Sequence, residues 1–164
     1  GGLGHMGVKL AHAMGAEVTV LTRSAAKAGE AKALGAHHVL LASDTDSIKR
    51  ATGTFDFVLD TIPVVHELDP YLRLVRTHGA LVLVGVIDTI PAFSSRLLIG
   101  GRKSLSGSAI GGIAETQELL DFCAAKGVAA DCEMTTMPRI NEAFERMARG
   151  DVRYRFVIDM GSLT

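Results

Sequence analysis

The chain opens Gly1-Gly2-Leu3-Gly4-His5-Met6-Gly7-Val8-Lys9-Leu10-Ala11, a glycine cluster running into residues that favour a helix. Glycine lacks a Cβ, so backbone N–H groups in such a turn can close on an anion. A helix starting there adds unpaired donors and the positive end of its dipole. The chemistry on offer is pyrophosphate binding. The dinucleotide fingerprint is G-x-G-x-x-G after a strand, and Gly1 and Gly4 supply only its second and third glycines. The first glycine and the preceding strand are missing from the sequence. Taken alone the opening is a weak signal, because Gly4-His5-Met6 also reads as a cloning remnant.

A second group of candidates follows the β-branched run Glu17 to Thr22. Dinucleotide sites that take NAD place an acid at the end of this strand, where it accepts from the ribose hydroxyls and would repel a 2′-phosphate. Here Thr22, Arg23, Ser24 and Lys27 offer two hydroxyls and two cations instead. That set suits a phosphate, and it equally suits a solvated turn carrying ordinary surface charges. Thr61, Gly85 and the run Ser108-Ala109-Ile110 fall at the ends of later strands, where the rest of a cofactor would pass. No residue offers itself for catalysis or metal binding. His37 and His38 are strand neighbours that point to opposite faces, and no third ligand stands near them. Cys123 and Cys132 lack C-x-x-C spacing and read as buried free thiols.

A regular alternation of strands and helices surrounds these residues. Gly7, Leu10, Ala11 and Met14 repeat at helical spacing, with Gly15 as the stop. A strand over 17–22 precedes an alanine-rich helix from Ala25 to Leu34, ended by Gly35. His37 to Ala42 reads as a strand, Asp46 to Ala51 as a short polar helix, and Phe55 to Asp60 as the next strand. Leu68, Tyr71, Leu72 and Val75 fit a helix lying on a sheet. Ala80 to Val86 is apolar enough to be buried on both faces. A looser segment with Pro91, Phe93 and Gly100-Gly101 leads to a strand at Ser104 to Ser108. A helix carries Thr116, Leu119, Leu120 and Cys123 on one face. Glu133 to Met137 reads as a strand, Ile140 to Met147 as the last helix, and Tyr154 to Ile158 as a closing strand. This alternation predicts an α/β fold, a doubly wound parallel sheet of Rossmann type whose first strand is absent from the chain.

Composition fits that class. The 164 residues are 48% hydrophobic and 21% charged, with a net charge of −1. No overall field attracts nucleic acid or an anionic membrane surface. No apolar run reaches the length of a bilayer span, and the opening lacks the regions of a signal peptide, so the expected location is cytoplasmic.

Four stretches resemble one family, the zinc-dependent medium-chain alcohol dehydrogenases, in the branch of cinnamyl alcohol dehydrogenases and bacterial NADP-dependent aldehyde reductases. They are GGLGHMGVKLAHAMGA (1–16), VLDTIPVVHELDPY (58–71), SGSAIGGIAETQELLDF (106–122) and EAFERMARGDVRYRFV (142–157). The resemblance implies that Gly1, Gly2, Leu3 and Gly4 hold the pyrophosphate and that Thr22, Arg23, Ser24 and Lys27 form an NADP-selecting turn. It places Thr61 and Gly85 along the cofactor, with the backbone of Ser108, Ala109 and Ile110 facing the nicotinamide carboxamide. Relatives often carry an aromatic residue where Ala109 stands, so the smaller side chain implies a broad aldehyde reductase. The stretch from Leu97 to Gly101 would approach the substrate, and the strand near Ser104 to Ser108 would pair across the axis of a homodimer. Residues 1–152 would be the cofactor domain, and 153–164 would return to a catalytic domain. The family's zinc ligands and proton relay lie upstream of the glycine loop, and nothing here matches them. The full-length enzyme would use zinc and NADP(H) on an alcohol or aldehyde. Competing readings are a nucleotide-sensing Rossmann module without catalysis and a zinc-free quinone reductase of the same superfamily.

Overall fold

The computed structural model describes residues 1–163. Helix α1 (Gly2–Ala13) is followed by β1 (Thr19–Thr22), a 3-10 turn leading into α2 (Ala28–Ala33), β2 (His38–Leu41), α3 (Thr45–Arg50) and β3 (Phe55–Asp60). Then come α4 (Asp69–Leu74), β4 (Val75–Leu83), α5 (Arg96–Ile99), β5 (Ser104–Gly107), α6 (Ile113–Lys126), β6 (Cys132–Thr136), α7 (Ile140–Ala148) and β7 (Arg155–Asp159). Local chemistry sets many of these boundaries. Asp44 caps α3 by accepting from the Ser47 N–H at 3.0 Å, and the Ser47 hydroxyl bond holds its carboxyl below the usual carboxylate range. Gly127 ends α6 in the left-handed region at φ +65°, which a residue with a Cβ adopts only under strain.

Every strand pairing is parallel, as the strand–helix alternation requires. The pairs fall into three groups, β1-β2, β3-β4-β5 and β6-β7. Helix α1 joins the first two groups. Its Val8 and Ala11 pack with Val18, Ala31 and Ala36 beside β1 and β2. A Cβ on Gly7 would meet the Leu59 side chain of β3 at 3.0 Å. The β6-β7 pair is tied by Glu133, which accepts from the Arg153 N–H and from the Arg146 guanidinium, both at 2.7 Å.

The main core is Leu68, Leu72, Val75 and Leu81, with Val58, Tyr71, Leu83, Phe93 and Leu105 packed around it. The expected helical quartet thus reaches the core, but Val75 begins β4 and is not helical. The register slips between Phe55 and Phe57, because the extra residues of the β4 start are taken up by a bulge there. Three further expectations need correction. The glycine cluster is not a loop before the helix, since α1 already starts at Gly2. The segment after Pro91 contains α5, too short for any periodicity to show. Neither cysteine is buried, since Cys123 is half-exposed on the open face of α6 and Cys132 is exposed at the first position of β6, and both are free. Helix α6 forms as expected, yet its apolar face stays open, with Leu120 57% exposed.

Candidate functional site

The first N–H bonded within α1 is that of His5, which donates to the Gly1 carbonyl at 3.0 Å. The N–H groups of Gly2, Leu3 and Gly4 therefore have no intrahelical acceptor, and the helix dipole points the same way. The surroundings of this helix start are specific. A Cβ on Gly2 would lie 3.2 Å from the Arg155 Nη2, so a guanidinium from β7 lies beside the donors. A Cβ on Gly4 would stand 3.5 Å from the Thr61 hydroxyl at the end of β3. Two residues proposed from sequence, Gly4 and Thr61, are thus brought together. Sequence reasoning misses Arg155, because nothing local to β7 shows that it reaches the opposite end of the chain. The arrangement of free N–H donors, a hydroxyl and a guanidinium fits a phosphate-bearing ligand.

At the end of β1, the Ser24 N–H donates to the Thr22 Oγ1 at 3.2 Å, which closes the turn and leaves Arg23 at its outer corner. Arg23 and Lys27 are exposed, and neither makes an ion pair among the described residues. Nothing acidic accepts in that turn, so its charge is available to an anion.

The ends of β3, β4 and β5 meet at one edge, since parallel register aligns them. The Asp60 carbonyl accepts from the Val84 N–H at 2.9 Å and the Gly85 N–H at 3.2 Å. The Ser108 N–H donates to the Leu83 carbonyl at 3.0 Å, and Ala109 and Ile110 continue outward into solvent. Behind Thr61 lies a pair that sequence reasoning does not single out. The Asp60 carboxylate, buried, accepts from the His66 Nε2 at 2.7 Å. Residues 60 and 66 both stand in the resemblance-bearing stretch 58–71, but only their burial together marks them.

A third constellation fastens α1 to the C-terminal strands. His5 is 2% exposed and stacks on Tyr154 with 4.5 Å between ring centroids. Its Nε2 accepts from the Asp131 N–H at 3.3 Å, and Lys9 pairs with the Asp131 carboxylate at 2.6 Å. These contacts hold the strand that carries Arg155 against the helix start. Burial pushes the His5 imidazole below its usual pKa, and protonation would also turn Nε2 from acceptor to donor against the Asp131 N–H. Between the lowered folded value and about 6.5 the unfolded chain binds more protons than the folded one. The stability tied to neutral His5 is therefore complete above about pH 6.5 and is lost as pH falls through the folded value. The wild-type thermal midpoint is expected to drop more steeply from pH 7 to pH 5 than that of His5→Phe, which keeps the stack and cannot titrate. Parallel slopes would refute this assignment.

His37 accepts from the Val18 N–H through Nδ1 at 3.0 Å, and His38 pairs with Glu17 at 2.8 Å. Among the described residues no group of three His, Cys, Asp or Glu side chains could hold a metal ion. Nor is any helix of the described residues long and apolar enough to cross a membrane.

Comparison with known proteins gives this geometry a family. The profile described as "Zinc-binding dehydrogenase" matches residues 2–125. The chain is 52% identical to the aldehyde reductase YahK of Escherichia coli over all of its own length and 47% of that protein. It is 50% identical to a probable cinnamyl alcohol dehydrogenase of Nicotiana tabacum, over 98% of this chain and 45% of that one. Among solved structures, a cinnamyl alcohol dehydrogenase from Sorghum bicolor superposes with a TM-score of 0.92 at 41% identity, covering 98% of this chain and 46% of that one. The Helicobacter pylori cinnamyl alcohol dehydrogenase complexed with NADP(H) superposes at 0.84 with 36% identity, covering 98% and 46%. The chain spans about half the length of the curated relatives it matches. With its parallel α/β architecture, its helix start open to an anion and a family profile over most of its length, this chain belongs to the zinc-binding dehydrogenases.

Proposed function

We propose that these residues are the NADP(H)-binding half of a zinc-dependent oxidoreductase that interconverts an alcohol and an aldehyde, with a broad preference for aldehydes. The observation that carries the cofactor choice is the turn after β1, where Thr22, Arg23, Ser24 and Lys27 offer hydroxyls, two cations that make no ion pair among the described residues, and no acid. A 2′-phosphate gains charge-assisted bonds there, and a bare ribose lacks its usual acceptor. The grouping of strands supports a doubly wound sheet. In the order 3-2-1-4-5-6, β2-β1 and β3-β4-β5 are the two runs left when the first position is vacated. The relatives' names point to the substrate class, and the Helicobacter pylori complex contains NADP(H).

In this reading Gly1, Gly2, Leu3 and Gly4, with Arg155, hold the pyrophosphate. Thr61 and Gly85 line the cofactor's path, and Ser108, Ala109 and Ile110 border its reactive end. Bound nicotinamide supplies the hydride that passes to or from the substrate carbon. The chain's own residues bind and orient; none of them is assigned a catalytic step. The described side chains do not fit a zinc site, so no step through zinc is derived from them. The small Ala109 leaves room at the reactive end, which supports the broad preference. β5 is the outer strand of its group, which suits pairing in a homodimer. Residues 1–152 form the cofactor domain, with 153–164 leading to the catalytic domain, and the expected location is cytoplasmic.

Arg23→Ala in the full-length enzyme tests this. One lost bond from a charged group to phosphate, about 2 kcal/mol, lowers the ratio of kcat/KM for NADPH over NADH about 30-fold. An unchanged ratio would remove the assignment. Cofactor binding without any turnover of aldehydes would favour a sensor module.

A further inference from the structure

The turn from Asp60 to His66 is closed by its own hydrogen bonds, and this inference rests on the cofactor reading above. Asp60 ends β3 with its side chain 2% exposed. A carboxylate taken out of water that far is costly unless its oxygens are met by donors. Both are met. Oδ1 accepts from the Ile62 N–H at 2.9 Å, and Oδ2 accepts from the His66 Nε2 at 2.7 Å. The second ring nitrogen of His66 stands 2.7 Å from the Val64 carbonyl, and Tyr71 stands edge-on to the ring at 5.4 Å. The imidazole is therefore held from both ends and from one face.

The turn so closed touches two places on the cofactor path. Thr61 faces Gly4 at the start of α1, and the Ile62 backbone lies against Gly85 at the end of β4. The Asp60 carbonyl meanwhile takes the Val84 and Gly85 N–H groups. If His66 is removed, one carboxylate oxygen is buried without a donor, and the turn must open to let water reach it. That displaces Thr61 and Ile62 together. From these contacts we infer that His66 is a positioning residue for NADP(H): through Asp60 it sets the Thr61-Ile62 turn between the helix start and Gly85, without touching the cofactor.

The test compares His66→Ala and His66→Gln in the full-length enzyme, with NADPH and NADH titrated by fluorescence and steady-state constants measured for one aldehyde. Glutamine retains a donor for Asp60 and so should restore the function that alanine loses. His66→Ala is expected to weaken NADPH binding about tenfold, while the aldehyde KM at saturating NADPH stays within about twofold. His66→Gln should bind NADPH within about threefold of wild type. Hydrogen exchange at Ile62 and Gly85 should quicken in His66→Ala and return in His66→Gln. NADPH affinity unchanged in His66→Ala overturns the inference, as does an equal loss in cofactor and aldehyde constants that glutamine does not rescue. Wild-type protein that binds neither nucleotide overturns the cofactor reading and this inference together.

Discussion

Gly85→Ala is expected to destabilise the fold by about 3 kcal/mol, with loss of cofactor binding where the domain unfolds. A Cβ at this position would lie 2.4 Å from the Ile62 carbonyl oxygen, 2.7 Å from its carbon and 2.9 Å from its nitrogen. All three are backbone atoms, so no side-chain rotation relieves the contact. The Ile62 N–H is held by the Asp60 carboxylate, and the Gly85 N–H is held by the Asp60 carbonyl, so neither segment is free to retreat. Gly29→Ala is the control. It lies in α2 with nothing within 4 Å of the position its methyl would take, and helix propensity there favours alanine by up to about 1 kcal/mol. Urea unfolding of the two variants should move in opposite directions. A wild-type midpoint for Gly85→Ala would show that the turn yields easily and would weaken the positioning argument as well.

Leu72→Ala should cost about 3 to 4 kcal/mol, the range for emptying a fully buried leucine site. Leu72 is 0% exposed and sits among Leu68, Val75 and Leu81, with Phe93 and Leu105 at the margin of the cluster. Its backbone carbonyl accepts from the Lys103 ammonium at 2.7 Å, so α4 is anchored and cannot slide in to fill the void. Leu72→Met keeps most of the volume and should cost less than about 1.5 kcal/mol. The two substitutions differ chiefly in the cavity they leave, and urea midpoints measure the difference. Equal losses would mean that the cluster collapses around alanine and that packing here is looser than its burial indicates.

Both predictions concern residues whose roles are only partly legible in the chain. Leu68, Leu72 and Val75 stand out by spacing, but that spacing puts Val75 in the helix, because periodicity does not say where a helix gives way to a strand. Gly85 is marked in the sequence only as a point on the cofactor path. That an Ile62 carbonyl lies against it, so that the glycine also serves packing, follows only from how the end of β4 meets the turn after β3. The glycine cluster reads as a turn before a helix, and the helix instead begins inside it at Gly2. Helix α6 shows the converse, since its apolar spacing predicts the element and not a partner for its face.

Read from the chain alone, the longer elements and their order are legible, as is the acid-free, cationic turn at Thr22 to Lys27. These depend on side-chain type and near-neighbour spacing, which act within a few residues. The tertiary structure alone decided which strands share hydrogen bonds, that Arg155 lies beside Gly2, and that Asp60 is buried against His66. It also decided that His5 meets Asp131 and Tyr154. Those are contacts between distant segments, or burials made by several elements at once, and local propensity carries no information about which surfaces will close on one another.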